Sequence, residues 1–284
     1  MNFHLGCAVW SYKGWIGEFY PAGSRPQDFL NLYSQRFNTV EGNTTFYAVP
    51  SPDKVARWVE KTATGFKFCP KLPRNITHNG LLTPQLPQAL DFYEKMEKLG
   101  DRLGVIFAQL PARYSPAYLE DLTNFLETLS SHGVPLALEV RHLDWFESHY
   151  ETQLNALLSQ LGIARVILDT RPIYNCPDDP QVESERRKPK LPVHLDATSD
   201  VSFIRFISHP QTEFNQPYLE EWLHQLEIWL KEGKTIYFFV HCPLEERSPH
   251  NARIFQHLLE NHGVNIPSLG WDQIQEPPVQ LSLF

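Results

Sequence analysis

Ionisable and amide side chains stand at the ends of short apolar runs: Glu41 and Asn43, Lys71, Gln109, Glu139 with Arg141 and His142, Asp169, Arg205 and His241. A strand buried on both faces should read as plain hydrophobic sequence, so charges at its end need a reason. Glu41, Glu139, Asp169 and His142 are the residue types that carry protons in general acid–base work and are the candidate catalytic residues. Lys71, Arg141 and Arg205 supply positive charge, and the planar arginine fork matches a phosphate or carboxylate in bidentate fashion. With Asn43, Gln109 and His241 they form the candidate substrate-binding set, to which Tyr12 and Trp145 add ring surfaces. The chemistry that fits is processing of a nucleotide or nucleic acid, or hydrolysis or isomerisation of a phosphorylated or carboxylated metabolite. Carboxylates and imidazoles can also ligate metal, but the neighbouring cations would repel it, so no metal is assigned. No phosphate loop, dinucleotide glycine signature, Gly-x-Ser-x-Gly or His-Glu-x-x-His occurs, and no cofactor is expected.

The elements that must position these groups follow from hydrophobic spacing. Strands are predicted at Phe3–Trp10, Thr39–Asn43, Phe66–Leu72, Leu103–Leu110, Pro135–Val140, Ala164–Asp169, Ser202–Ser208 and Thr235–His241, each followed by a helical stretch. This rhythm predicts a (β/α)8 TIM-type barrel over residues 1–265, with its chemistry at the C-terminal strand ends, and an extended tail over 266–284. Residues two apart share a strand face. Thr39, Glu41 and Asn43, then Cys69 and Lys71, Phe107 and Gln109, Glu139 and Arg141, Ile167 and Asp169, Phe203 and Arg205, and Phe239 and His241 are therefore expected to converge on the axis. Mutual neutralisation as buried ion pairs is the competing reading, but desolvation makes such pairs poor value for stability alone. Between strands 6 and 7 the rhythm breaks in a proline-containing segment that carries Arg186, Arg187, Lys188 and Lys190, expected to bring basic groups to the mouth as a partly mobile lid.

Bulk properties bound the choices. The 284-residue chain has net charge −8, which argues against coating nucleic acid through overall charge. Cys7, Cys69, Cys176 and Cys242 are widely separated, without a Cys-x-x-Cys pair, as in a reducing compartment. MNFHLGCAVW lacks the pattern of a signal peptide and no run suits a membrane span, so a cytoplasmic location without membrane contact is expected.

The phrase Thr39–Val40–Glu41–Gly42–Asn43–Thr44–Thr45–Phe46–Tyr47–Ala48–Val49–Pro50 resembles the signature of the YecE-like family (domain of unknown function 72). Trp10–Ser11–Tyr12, Phe19–Tyr20–Pro21, Gln109–Leu110–Pro111, Glu139–Val140–Arg141–His142 before Trp145–Phe146, and Asp169–Thr170–Arg171–Pro172 extend the resemblance over nearly the whole chain. It implies a TIM-type barrel with a polar pocket at the C-terminal face, in which Glu41, Asn43, Glu139, Arg141 and His142 match the family pattern. Many members end strand 8 with paired asparagines where this chain has His241–Cys242–Pro243. The family implies no reaction.

The last five residues, Gln280–Leu281–Ser282–Leu283–Phe284, follow a Pro277–Pro278 spacer. They resemble the short motif that docks bacterial replication and repair proteins on the sliding clamp, with Gln280 as polar anchor, Leu281 as a spacer contact and Leu283 and Phe284 as apolar plugs. A DNA sliding clamp is thus an expected partner. The alternative is a tail whose Leu283 and Phe284 cover the chain's own surface.

Overall fold

Alternation of short apolar runs with amphipathic helices produces eight parallel strands in the computed structural model, which describes residues 2–184 and 187–274. The strands are β1 (Phe3–Cys7), β2 (Thr39–Gly42), β3 (Lys67–Pro70), β4 (Ile106–Gln109), β5 (Leu136–Glu139), β6 (Ala164–Asp169), β7 (Val201–Ile207) and β8 (Thr235–His241). The larger helices are α1 (Phe29–Ser34), α3 (Pro52–Lys61), α5 (Leu86–Glu97), α6 (Leu119–Ser131), α7 (Ser148–Leu161), α9 (Gln216–Lys231) and α10 (Ser248–Asn261). Single turns α2 (Thr44–Tyr47), α4 (Arg74–Thr77) and α8 (Arg171–Tyr174) directly follow β2, β3 and β6. Helix α3 starts as its sequence requires: Ser51 Oγ accepts from the Lys54 N–H, and Pro52 occupies the first turn.

The expectation of a closed eight-stranded (β/α)8 barrel is corrected. Six strands form one curled parallel sheet in the order β1-β8-β7-β6-β5-β4, and β2-β3 form a separate two-stranded sheet. β3 meets β4 only at the isolated bridges Phe68–Leu103 and Lys71–Phe107. Their backbone bonds are Gly104 N to Phe68 O and Leu72 N to Phe107 O, and between them sits Pro70, which has no N–H to continue a ladder.

On the other side, side chains stand in for the missing ladder between β1 and β2. Asn38 Nδ2 donates to Phe3 O while its Oδ1 accepts from Leu5 N, and Asn43 Nδ2 donates to Ala8 O. The Tyr33 hydroxyl accepts from Cys7 N at 2.6 Å and donates to Thr39 O at 3.0 Å. Gly6 makes this approach feasible, since a Cβ there would lie 2.0 Å from Thr39 O.

Inside the curl, Cys69, Phe107, Ala137, Val166, Phe203, Tyr237 and Phe239 form one apolar cluster below the site. The opposite faces, such as Leu136, Leu138, Val140, Ile236, Phe238 and Val240, belong to the core shared with the outer helices. After Asn265 the chain runs back over the body: Leu269 and Trp271 are buried, and the Trp271 ring lies edge-on to Phe19 at 4.9 Å. Arg186 and residues 275–284, including Gln280, Leu281, Leu283 and Phe284, lie outside the described residues. Among those described, no helix is long and apolar enough to cross a membrane.

Replacing Tyr33 with phenylalanine leaves a buried N–H and a buried C=O without a partner and is expected to cost about 1–3 kcal/mol. Denaturant unfolding measures the loss, and amide exchange at Cys7 should accelerate more than at Phe238 of β8, which is paired on both sides. An unchanged Cys7 exchange rate would contradict the seam's dependence on this hydroxyl.

Candidate functional site

Four strand ends deliver one ion network to the C-terminal side of the sheet. Arg205 on β7 grips Glu41 on β2 in a bidentate pair, with both Nε–Oε2 and Nη2–Oε1 at 2.8 Å. Its Nη1 donates to Glu139 Oε2 on β5 at 2.6 Å. Glu139 Oε1 in turn accepts from Arg141 Nε at 2.6 Å, and His241 Nε2 on β8 stands 3.1 Å from Glu41 Oε2. Asn43 Nδ2 reaches Glu41 Oε1 at 2.7 Å. Glu41, Glu139, Arg205 and His241 are all buried.

The electrostatics follow from that pairing. Burial alone would raise the Glu41 carboxyl, but Arg205 and then His241 hold it well below the usual carboxylate range. Glu139 is also penalised by burial, yet Arg141 and Arg205 bring it down to about 2. Both are therefore fixed anions at neutral pH rather than proton carriers. His241 is lowered to about 4 by burial despite the attraction of Glu41, so it stays neutral and gives its Nε2–H to that carboxylate.

The groups whose values are shifted toward neutrality lie beside this network. Lys71 is buried, donates to Gln109 Oε1 at 2.8 Å, and is lowered to about 7 by burial and then by Arg205. Lys188 is lowered to about 8, first by burial and then by Arg205. The loop after β6 pins it: its N–H donates to Gln181 Oε1, its carbonyl accepts from Tyr174 Oη, and Thr170 Oγ1 donates to the Pro189 carbonyl. Glu245, after β8, is raised to about 8 by burial, and its Oε1 is buried without a hydrogen-bond partner. Charge also gathers on the mouth beside β3. His78 is lowered to about 4 by burial and then by Lys71, Arg141, Arg74 and Arg113. A cleft of about 620 Å3, lined by Phe46, Tyr47, Arg74, Asn75 and His78 among others, opens there.

Several expected members are elsewhere. Asp169 points outward, against the expected parity: Ala164, Val166 and Leu168 fill the interior of β6, while Arg165 reaches Glu151 on α7. Asp169 accepts from Trp222 Nε1 of α9 at 2.8 Å and from Arg171, forming a tie between sheet and helix. His142 is half-buried and caps the following turn, its Nδ1 accepting from Asp144 N. Trp145 is fully buried with its indole N–H on Tyr114 O, so it presents no ring to a ligand. Tyr12 donates to Glu246 at 2.5 Å. Of the described cations in the basic segment only Lys188 acts on the network; Arg187 pairs with Asp179, and Lys190 lies over the Tyr174 ring. Glu245 and His78 are not in the expected set; the signal in the sequence was position, since Glu245 opens the turn after β8 and His78 ends the turn α4 that follows β3.

Among the described residues, Cys176, Asp178 and His209 bring ligand atoms of metal-binding type together. His209 Nδ1 accepts from the Gln211 N–H, which leaves the proton on Nε2, where it faces Asp178 Oδ1 at 3.1 Å. That nitrogen is a donor in this arrangement, and the trio is complete without an ion.

Residues 4–275 match the family model described as "Protein of unknown function DUF72". The chain is 34% identical over 287 residues to the UPF0759 protein YecE of Escherichia coli strain K12, covering 99% of both. It is 21% identical to the UPF0759 protein YunF of Bacillus subtilis strain 168, covering 82% of this chain and 86% of that one. Crystal structures of DUF72 family proteins share the fold. The one from Enterococcus faecalis V583 has a TM-score of 0.68 at 16% identity, covering 91% of this chain and 97% of that one. The one from Thermotoga maritima MSB8 has 0.66 at 21% identity, covering 92% and 100%.

Arg205→Met is expected to destabilise the fold by about 3–5 kcal/mol, because it strands two buried carboxylates. Adding Glu41→Gln and Glu139→Gln should recover most of the loss in denaturant titration; failure to recover would mean that Arg205 acts mainly through packing. Glu245 makes the opposite linkage. Its folded value of about 8 lies above the ordinary 4.5, so the unfolded chain releases this proton first and stability falls as pH rises between those values. Glu245→Gln should match the parent below about pH 4.5 and exceed it in stability by a growing margin up to about pH 8.

Proposed function

Since this chain belongs to the DUF72 (UPF0759, YecE-like) family, whose description assigns no activity, we propose from its geometry that it is an enzyme acting on a small phosphorylated or carboxylated compound. The observation that carries this reading is the state of Arg141. Its Nε is held by Glu139, while its terminal nitrogens carry no hydrogen bond to the described residues. The guanidinium is thus oriented by a fixed anion and presents its remaining donors, a fork suited to an oxyanion.

Lys188 supplies a second cation that acts on the network, and Arg74 and Arg113 add positive charge around His78 at the cleft. In a protein of net charge −8, this local concentration favours a compact anion over a long polyanion. The nucleic-acid reading leans on the terminal motif, outside the described residues, and on ring surfaces of which Trp145 is buried in the core.

Proton chemistry on this reading falls to Lys71, Lys188 and Glu245, whose shifted values lie near neutrality, and not to Glu41 or Glu139. The two glutamates hold the arginines in place. That division of labour suits isomerisation or proton abstraction next to a carbonyl.

Inorganic phosphate at about ten times its dissociation constant should stabilise the protein by ~1.4 kcal/mol, a rise in Tm of about 2–4 °C over chloride at equal ionic strength. Arg141→Ala should abolish that rise, whereas Asp169→Asn should lower the baseline Tm and keep it. Equal melting in phosphate and chloride would remove the proposal.

A further inference from the structure

We propose that Lys71 is the amine of a carbonyl-binding site, its Nζ condensing with the aldehyde or ketone of a small anionic substrate to form an imine. The inference rests on the anion-binding reading above and names the substrate class: a phosphorylated or carboxylated carbonyl compound.

Apart from Lys188, which burial and Arg205 also lower, the environment of this lysine differs from that of the lysines with ion-pair or hydrogen-bond partners. Lys95 pairs with Asp91 and Lys231 with Glu227, while Lys61, Lys67 and Lys234 donate to backbone carbonyls near the surface. Lys71 is 6% exposed and has no carboxylate within ion-pair distance among the described residues. Its hydrogen-bond partner is the neutral carbonyl of Gln109, at 2.8 Å. The Phe46 and Phe107 rings lie 4.1 and 5.3 Å from Nζ. Both nearby carboxylates, Glu41 and Glu139, are already held by Arg205.

Burying an ammonium without a counterion costs several kcal/mol, and the protein lowers that cost by favouring the neutral amine. With one N–H directed to Gln109, a neutral amine keeps its lone pair for another partner. The downward shift to about 7 agrees with this geometry. Desolvated lysines beside another cation are the usual means of making an amine nucleophilic at neutral pH.

The main chain holds the nucleophile in register. Thr45 Oγ1 donates to Lys71 O at 2.6 Å and Lys71 N donates to Gly42 O at 3.3 Å, fixing the residue between β2 and α2. Phe46, whose ring lies against Nζ, also lines the cleft with Tyr47, Arg74 and His78, which brings the cleft next to the amine. Arg141 acts electrostatically on both Lys71 and His78, which puts an anion-holding fork beside the amine.

The step balances without an oxidant or reductant. The amine nitrogen bonds to the carbonyl carbon, giving a carbinolamine after proton transfer to the oxygen. The carbon–oxygen bond then breaks and the oxygen leaves as water with the two former amine hydrogens. The resulting C=N bond, once protonated, withdraws electrons from the adjacent carbon and permits proton loss there.

Pyridoxal 5′-phosphate, a phosphorylated aldehyde, is a suitable probe, with pyridoxal as the control that lacks the anion. The full-length protein is incubated with either at pH 7, reduced with cyanoborohydride and mapped by peptide mass spectrometry. Lys71 should be modified at least tenfold faster than the average lysine, several-fold faster by the phosphate form than by pyridoxal, and more slowly in excess inorganic phosphate. Label spread evenly over the lysines would overturn the imine assignment, even if phosphate still raised the Tm. Preferential labelling of Lys71 that ignores the phosphate group and free phosphate would uphold the nucleophile and overturn the anion reading. Lys71→Met should remain folded and lose the fast-labelling site; if it does not fold, the map of the unaltered chain decides.

Discussion

The interior depends on one guanidinium. Arg205 extends from β7 and binds carboxylates from β2 and β5, two strands in different sheets. Neither β1–β2 nor β3–β4 has a continuous ladder, so the two-stranded sheet is tied to the six-stranded one by individual contacts. Arg205 crosses the interior with a bidentate ion pair to β2, beside the single-bond ties His241–Glu41 and Lys71–Gln109, and it is buried with both partners. Such an arrangement is tolerable only when every charge is satisfied.

This constraint also sets the chemistry of the mouth. Glu41 and Glu139 spend their charge on Arg205 and Arg141, which holds them ionised and removes them from proton transfer. Lys71 and Lys188 then face cations without a carboxylate of their own, and their ammonium forms are destabilised. An ionic frame that is internally satisfied thus leaves amines near neutrality and an arginine with unused donors at its rim. Titratable groups perturbed together by burial and a specific charge partner are the usual physical signature of a functional site.

Much of the candidate site was legible from strand ends alone. Charge at the end of an apolar run marked Glu41, Lys71, Glu139, Arg205 and His241, and two-residue parity brought them to one interior. The same rule misplaced Asp169, because it was counted from the polar terminus. In β6 the interior is shaped by Ala164, Val166 and Leu168, which pack beside Phe203 and Arg205 of β7, and register with that neighbour decides the face. Aromatic residues were less informative: nothing in Trp145 distinguishes a ring wall from a core wedge until Tyr114 O is found beside its indole N–H.

The sequence by itself determined the alternation of strand and helix, the polar strand ends and the family signature, because these are local patterns of hydrophobicity and residue type. Tertiary structure alone decided whether the curl closes, which acids remain free to move protons, and which cation of the basic segment reaches the mouth. Each of those depends on approach in space that the order of residues does not set: Gly6 against Thr39 O, Pro70 without an N–H beside β4, Arg205 against Glu41, and Lys188 pinned by Gln181 and Tyr174. Ionisation and hydrogen bonding respond to what is near in space, and a linear pattern does not encode which neighbours the fold will supply.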